Sequence, residues 1–295
     1  MIRRSVLAVA ALWPLLLQSA QAADYDSARR AAVSVVRIVV STASPRGSFG
    51  SGVVLPDGRV ATNCHVTRDA SSVSVVADGV RLDVLEEVGD SAADICVLRV
   101  AGLHTPAARV PALRSLQIGD EVAAAGFGGG FAKTVSAGRV TALFPYRGGY
   151  VIRTTAAFRP GASGGGLFDR DGNLVGLITF FRRGAEDFAF FAVPVEWVDT
   201  LGLSRGGAHA EARPFWMLAH AEQPRFLQVA TFEADRKWRE MAAAARQWCE
   251  EEPEQAQAWE ALGRALINLG DRAEGTAAME RAQRAPDSLT RASLH

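Results

Sequence analysis

Some residue types and patterns are scarce in this chain of 295 residues, and each scarcity excludes something. There are 3 cysteines and 5 histidines, and no Cys/His pair stands at metal-ligand spacing. A zinc site of the finger or ribbon kind is therefore not expected, and no cofactor is called for. Charge of one sign is not in excess: Lys+Arg and Asp+Glu are 32 each. That balance leaves no basic surplus for nucleic acid and no charged tail. Long apolar runs are missing as well. The longest, Ser5–Leu17, has 13 residues and contains Pro14, whereas a helical membrane span needs roughly 18 or more. No stable membrane span is expected.

That short run has the flanks of an export signal. Arg3 and Arg4 precede it, and Ala20-Gln21-Ala22 follows as a small-x-small cleavage site. The expectation is a signal peptide over 1–22, removed to leave an exported chain, periplasmic or secreted. The roughly 270 residues that remain suit one large unit plus an appendage.

From Val33 to about Val193 the pattern is β. Ten short runs rich in β-branched residues recur between Gly, Pro and Asp punctuation. They are Ser34–Val40, Gly52–Leu55, Ser72–Val76, Arg81–Val88, Ile95–Val100, Glu121–Ala125, Thr134–Leu143, Tyr150–Thr155, Leu174–Phe180 and Phe188–Val193. Many short strands without intervening helices predict antiparallel sandwiches or barrels. Leu103–Ile118 lacks alternation and carries Pro106 and Pro111, so it reads as a link between two β halves. Past Pro194 the period changes. Pro194–Leu201 predicts one short helix, and Ser204-Arg205-Gly206-Gly207 reads as a linker. From about Pro214 the composition turns to Ala, Glu, Gln, Arg and Trp, which suits helices. Trp238, Met241, Ala245 and Trp248 share one helical face. Ala258–Leu266 fits the Trp-x2-Leu-Gly opening of a tetratricopeptide repeat, and Pro253 and Pro286 stand 33 residues apart, close to its period. The alternative is an ordinary helical hairpin.

The chemistry-bearing stretch is Pro160-Gly161-Ala162-Ser163-Gly164-Gly165-Gly166, one hydroxyl nucleophile among four glycines. Glycine allows a tight bend that exposes the hydroxyl and turns the N–H groups of Gly161 and Ser163 toward one point. Two donors aimed at a developing oxyanion can supply a few kcal/mol of transition-state stabilisation. Taken alone, the stretch also fits a plain turn or the nucleophile elbow of α/β-hydrolases. Elsewhere, His65 stands in Thr62-Asn63-Cys64-His65-Val66 just after a strand, and Asp94 in Ala93-Asp94-Ile95-Cys96 just before one. A serine needs a base to take its proton, an imidazole titrates in the right range, and a carboxylate can fix the imidazole tautomer. The chain order His65, Asp94, Ser163 differs from the Ser…Asp…His of an elbow enzyme, and a strand rather than a helix follows the serine. Gly126-Phe127-Gly128-Gly129-Gly130 lacks the Lys-Ser/Thr of a phosphate loop and reads as a β-turn.

These three boxes resemble the triad boxes of HtrA/Deg-type trypsin-like serine proteases. The likeness continues in Gly50–Val54, Thr134–Leu143, Leu174–Thr179 and Phe191–Pro194, and covers roughly 31–201. The resemblance implies an all-β double six-stranded β-barrel, chymotrypsin-like, followed by a small α-helical repeat segment. In that arrangement 23–203 is the protease domain, with barrels at about 31–102 and 115–203. A linker spans 204–213 and the repeat-like segment 214–295. The resemblance also implies roles: His65, Asp94 and Ser163 as triad, and the backbone of Gly161 and Ser163 as oxyanion hole. The Thr179 hydroxyl would steady the aspartate, and Ala157, Ile178, Thr179 and Phe180 would line or border the S1 pocket. None of those side chains is charged, so small or medium apolar P1 residues are expected, because a buried Arg or Lys would find no partner. Phe180 either narrows the pocket or belongs to the core. If the triad forms, the strands carrying Cys64 and Cys96 approach each other, and a bridge between them is expected near the catalytic centre, the alternative being two small core thiols.

Two departures stand out. Ala162 occupies the place where digestive trypsin-like enzymes carry an aspartate for a freed N-terminus, so the oxyanion turn must be held by neighbouring loops, with or without the helical tail. No PDZ signature follows Leu201, and a regulatory PDZ domain is not expected. The implied partners are polypeptide substrates and a protein bound by the tail. The rivals are a non-catalytic protease-like scaffold that binds partners through its tail, and an esterase using the same triad.

Overall fold

The computed structural model describes residues 27, 29–42, 48–111, 116–185, 188–201 and 212–285. The expected signal peptide, the linker stretch Ser204–Gly207, and Pro286 lie outside them.

Twelve strands build two closed antiparallel barrels. The first holds β1 (Val35–Ser41), β2 (Ser48–Val54), β3 (Val60–Thr62), β4 (Ser72–Ala77), β5 (Val80–Asp90) and β6 (Ile95–Val100), hydrogen-bonded in the order β1-β2-β3-β6-β5-β4. The second holds β7 (Glu121–Gly126), β8 (Thr134–Tyr146), β9 (Gly149–Thr154), β10 (Gly166–Asp169), β11 (Leu174–Arg183) and β12 (Phe188–Pro194), in the order β10-β11-β12-β9-β8-β7. The ten runs read from the sequence all fall on strands. The two strands without such a run are β3 and β10, with 3 and 4 residues, too short to show a period.

Alternation along β1 sends Val36, Ile38 and Val40 into the first barrel beside Val54, Val60, Val75 and Leu98. Leu143, Ile152, Leu167, Val175 and Ile178 fill the second. The opposite faces of several strands are buried too: Val35, Val53, Ile95 and Val97 belong to a third cluster that reaches Ala125, Phe168 and Leu177 of the second barrel. Burial on both faces explains why Ile95-Cys96-Val97-Leu98 reads as an unbroken apolar run. The barrels meet closely at Gly164, where a Cβ would lie 2.2 Å from the Ser51 carbonyl and 2.4 Å from Thr62 Oγ1. Only glycine permits that approach.

Of the expected link over 103–118, the described residues run as irregular chain, pinned where Ala108 donates to the Val54 carbonyl and Arg109 bridges to Asn173. Val195–Val198 forms a 3-10 turn, shorter than the helix read there. After residue 211 the chain makes a 3-10 turn at Phe215–Met217 and then four helices. Counting the short α1 (Cys64–Thr67) in the first barrel, these are α2 (Arg225–Ala234), α3 (Trp238–Glu251), α4 (Ala256–Leu269) and α5 (Arg272–Arg284). On α3, Met241, Ala245 and Trp248 are buried and Trp238 is half-buried, the face read from the sequence.

The helices do not stand apart from the barrels. Phe226 of α2 stacks on Phe144 of β8 with ring centroids 4.9 Å apart, and Phe215 packs on Tyr146 at 5.1 Å. Glu233 at the end of α2 lies between Arg153 of β9 at 3.0 Å and Arg264 of α4 at 2.7 Å. Burial alone would push its carboxyl up, but the two guanidinium groups outweigh it and hold the group below the usual carboxylate range. No helix among the described residues is long and apolar enough to cross a membrane.

Candidate active site

The site lies in the seam between the barrels. His65 is carried by α1, one turn of helix directly after β3. Asp94 closes the turn between β5 and β6, with φ +61°. Left-handed backbone costs a non-glycine residue about 1 kcal/mol or more, least for Asn and Asp. The turn aims the carboxylate inward, and Asp94 is 0% exposed. Its Oδ2 accepts from His65 Nδ1 at 2.7 Å and its Oδ1 from the His65 backbone N–H at 2.9 Å. A third donor, Trp216 Nε1–H, reaches Oδ2 at 2.9 Å. A carboxylate with no access to water needs such donors to remain charged.

The structure corrects one expected role. The Thr179 hydroxyl does not reach Asp94. It donates to the Leu177 carbonyl at 2.8 Å and accepts from Asn63 Nδ2 at 3.1 Å. The pairing of β11 with β12 shifts register between Ile178 and Phe180, and Thr179 sits at that irregularity. Its hydroxyl is thereby committed to its own strand, and the indole of Trp216 takes the place on the carboxylate. The same Asn63 amide donates to the Asp94 carbonyl at 2.8 Å.

The expected Cys64–Cys96 bridge is present, with Cα atoms 5.0 Å apart. It ties the first residue of α1 to β6, so the arms carrying His65 and Asp94 are covalently joined. Gly89 leaves room for it: a Cβ there would lie 2.3 Å from Cys96 Sγ.

Ser163 comes from the second barrel. Its carbonyl accepts from Ser51 N–H at 2.8 Å, which anchors it to β2 of the first. Its hydroxyl donates to the Thr179 carbonyl at 3.0 Å rather than to the imidazole. Before it, Ala162 N–H donates to the Arg159 carbonyl at 3.0 Å, and Gly161 has φ +93°. With Pro160 at the second position and a positive φ at the third, this is a type II turn. The Pro160 carbonyl accepts from Gly129 N–H at 2.9 Å. In a trans peptide the N–H points opposite to the C=O, so the Gly161 N–H is turned away from the Gly129 loop. Among the described residues the N–H groups of Gly161 and Ser163 donate to nothing.

Neighbouring loops hold that turn. Ser51 Oγ donates to the Gly161 carbonyl at 3.0 Å and accepts from Phe127 N–H at 2.8 Å. The glycine stretch after Phe127 is the β-turn read from the sequence, and through Gly129 it supplies the second clamp. Among the described residues, no hydrogen bond from the helical tail reaches the turn. Ala162 is 1% exposed, packed where a Cβ on Gly126 would meet its own Cβ at 2.8 Å.

Of the residues expected at the S1 pocket, Ala157 is exposed while Ile178, Thr179 and Phe180 are buried. Phe180 lies flat between Phe191 at 4.7 Å and Trp216 at 4.9 Å. It therefore belongs to an aromatic stack, the second of the two readings. Beside Ala157, Phe158 packs on Phe190 at 5.2 Å and on Phe181 at 6.2 Å. Sequence reasoning passes over Phe158, Phe181, Phe190 and Trp216. The three phenylalanines are flagged only by their density near the serine, and Trp216 by nothing local.

Two six-stranded barrels with a His–Asp pair on one and a glycine-flanked serine on the other define the chymotrypsin-like class. Residues 50–177 match the family model of the trypsin-like peptidase domain. Over 158 residues the chain is 37% identical to a protein of Ectopseudomonas mendocina named "Probable periplasmic serine endoprotease DegP-like", covering 50% of this chain and 33% of that one. Among solved structures, a serine endoprotease from Yersinia pestis is similar at 31% identity and a TM-score of 0.53, over 60% of this chain and 64% of that one. The HtrA-type protease AlgW with a tripeptide matches at 27% identity and a TM-score of 0.53, over 60% and 61%. The chain thus spans about a third of the length of the curated relatives it matches.

Proposed function

We propose that the chain is an exported serine endopeptidase that works through an acyl-enzyme. The observation that carries the reading is the 2.7 Å pair of His65 with the buried Asp94, together with a serine from the second barrel whose own N–H, with that of Gly161, donates to nothing among the described residues. Asp94 holds the imidazole with Nδ1 protonated, which leaves Nε2 as the base. In this cycle the Ser163 hydroxyl, which donates to the Thr179 carbonyl at rest, turns to the imidazole. Its oxygen attacks the scissile carbonyl while Nε2 takes the proton. The Gly161 and Ser163 N–H groups receive the oxyanion, and Nε2 returns the proton to the leaving amine. Water then repeats the cycle on the acyl-enzyme.

Ala157 and the strand from Ile178 to Phe180, the residues proposed to border the P1 side chain, carry no charge, and the neighbouring Phe158, Phe181 and Phe190 pack on one another. Small or medium apolar residues are the P1 class that fits. The periplasmic naming of the relatives supports export, with residues 1–22 as the signal. The helical hairpins over 225–285 are read as a repeat-like surface for a protein partner.

A serine-reactive fluorophosphonate probe tests the reading. The wild type labels and Ser163→Ala does not. An unlabelled wild type, beside a labelled control protease, would favour the scaffold. Hydrolysis of esters with a peptide rate of zero would favour the esterase. Cleavage of a peptide library dominated by sites after Arg or Lys would refute the apolar P1 class.

A further inference from the structure

We infer that Trp216, delivered by the chain beyond the second barrel, is a positioning residue of the triad, so that the C-terminal segment is part of the catalytic apparatus. The inference rests on the serine-hydrolase reading above.

Two contacts of the indole converge on the His65–Asp94 pair, and a third braces the ring. Its Nε1–H donates to Asp94 Oδ2 at 2.9 Å. Its ring meets the His65 imidazole edge-on, with centroids 5.2 Å apart and planes at 85°. Its face lies on Phe180 at 4.9 Å and 11°. The ring thus fills the space between the imidazole and β11. An indole N–H can only donate, and here it is aimed at one oxygen of a carboxylate that water cannot reach. Asp94 Oδ2 is the atom that also receives His65 Nδ1. The second donor therefore fixes the rotation of the carboxylate about its last torsion, and with it the direction of the imidazole. The hydroxyl expected in this role, that of Thr179, is committed to Leu177.

The backbone around Trp216 is held from both barrels. Its carbonyl accepts from Arg182 at 2.6 Å and from Gln223 at 3.2 Å. The adjoining Phe215 N–H donates to Ala92, in the Asp94 turn, at 3.0 Å, and the Phe215 ring is 1% exposed. Arg68, beyond α1, donates to the Ala212 carbonyl at 2.7 Å. A side chain steadied to this degree can steady another, which is what supporting contacts around a catalytic group must do.

Trp216→Phe in the full chain keeps the aromatic stack and removes the donor. The expected result is a fall in kcat of about ten- to a hundredfold, the change that one hydrogen bond to a charged group corresponds to. KM should stay within about twofold, because a positioning loss falls on the transition state. The proton on His65 Nδ1, read by NMR, should move, because Oδ2 no longer shares itself between two donors. Equal kcat and an unmoved proton resonance would overturn the inference. If the phenylalanine variant does not fold, 3-benzothienylalanine at position 216, which has the shape of tryptophan without its N–H, decides by the same readouts. A wild type that the fluorophosphonate probe fails to label overturns the serine-hydrolase reading and this inference together. A labelled wild type with an unaltered Trp216→Phe variant overturns the inference alone.

Discussion

At the scale of single residues, the turn proposed to receive the oxyanion holds a small buried side chain, Ala162, packed against Gly126. An aspartate in its place would bring a charge into a tightly packed apolar site. Ala162→Asp is expected to lower stability by about 3–5 kcal/mol, the cost of an uncompensated buried charge, and a denaturant midpoint measures it. An unchanged midpoint would mean that the site takes up a cation or water that the packing does not show. Thr179 makes the complementary point. Its type and place in the sequence fit a support for Asp94, but the direction of a hydroxyl follows from local backbone register, and the irregularity beside Ile178 turns it away.

At the scale of elements, the site depends on pieces contributed in pairs. The β7–β8 loop and β2 clamp the turn through Gly129 and Ser51. Ser51 is 0% exposed, and its hydroxyl joins the Gly161 carbonyl to Phe127 N–H across the seam. Ser51→Ala leaves both groups without that partner. We expect a loss of about 2 kcal/mol in stability and a fall in kcat of about tenfold, measured by chemical denaturation and by ester turnover. Full activity with intact stability would show that the Gly129–Pro160 bond suffices alone. The same logic explains the pairing of Cys64 with Cys96. Each cysteine lies within two residues of His65 or Asp94, and the bridge joins α1 to β6 across 32 residues of sequence.

At the scale of the whole molecule, the helices and barrels share buried surface. The stack of Phe144 on Phe226 and the Tyr146–Phe215 contact continue the inter-barrel cluster into α2. Beside them, Glu233 answers both Arg153 and Arg264. Its carboxyl titrates below its ordinary value of 4.5 in the folded protein. A depressed folded value adds stability that is fully present above the unfolded value and is lost as pH falls through the folded one. Wild type should therefore melt above Glu233→Gln near neutral pH. That gap, about 1–2 kcal/mol, should close as pH falls below 4.5. A gap that persists at low pH would place the effect in shape rather than charge.

How far sequence alone reaches follows from the range of each interaction. The β character of 35–194, the helices beyond 225 and the three chemical boxes are local. A run of β-branched residues, an apolar helical face or a serine among glycines carries its own signal within a dozen positions. The strands β3 and β10 escaped because 3 or 4 residues cannot show a period. The division of labour at Asp94 was out of reach for a different reason. Trp216 stands 122 residues from its partner, after a change of composition that reads as a separate unit. The amino acids alone named the groups proposed for acyl-transfer chemistry and their order along the chain. The packing of barrel on barrel, and of the C-terminal segment over the seam, decided which donor serves the aspartate and which loops hold the turn at Gly161. Those are matters of direction and distance between segments remote in the chain, and no local pattern encodes them.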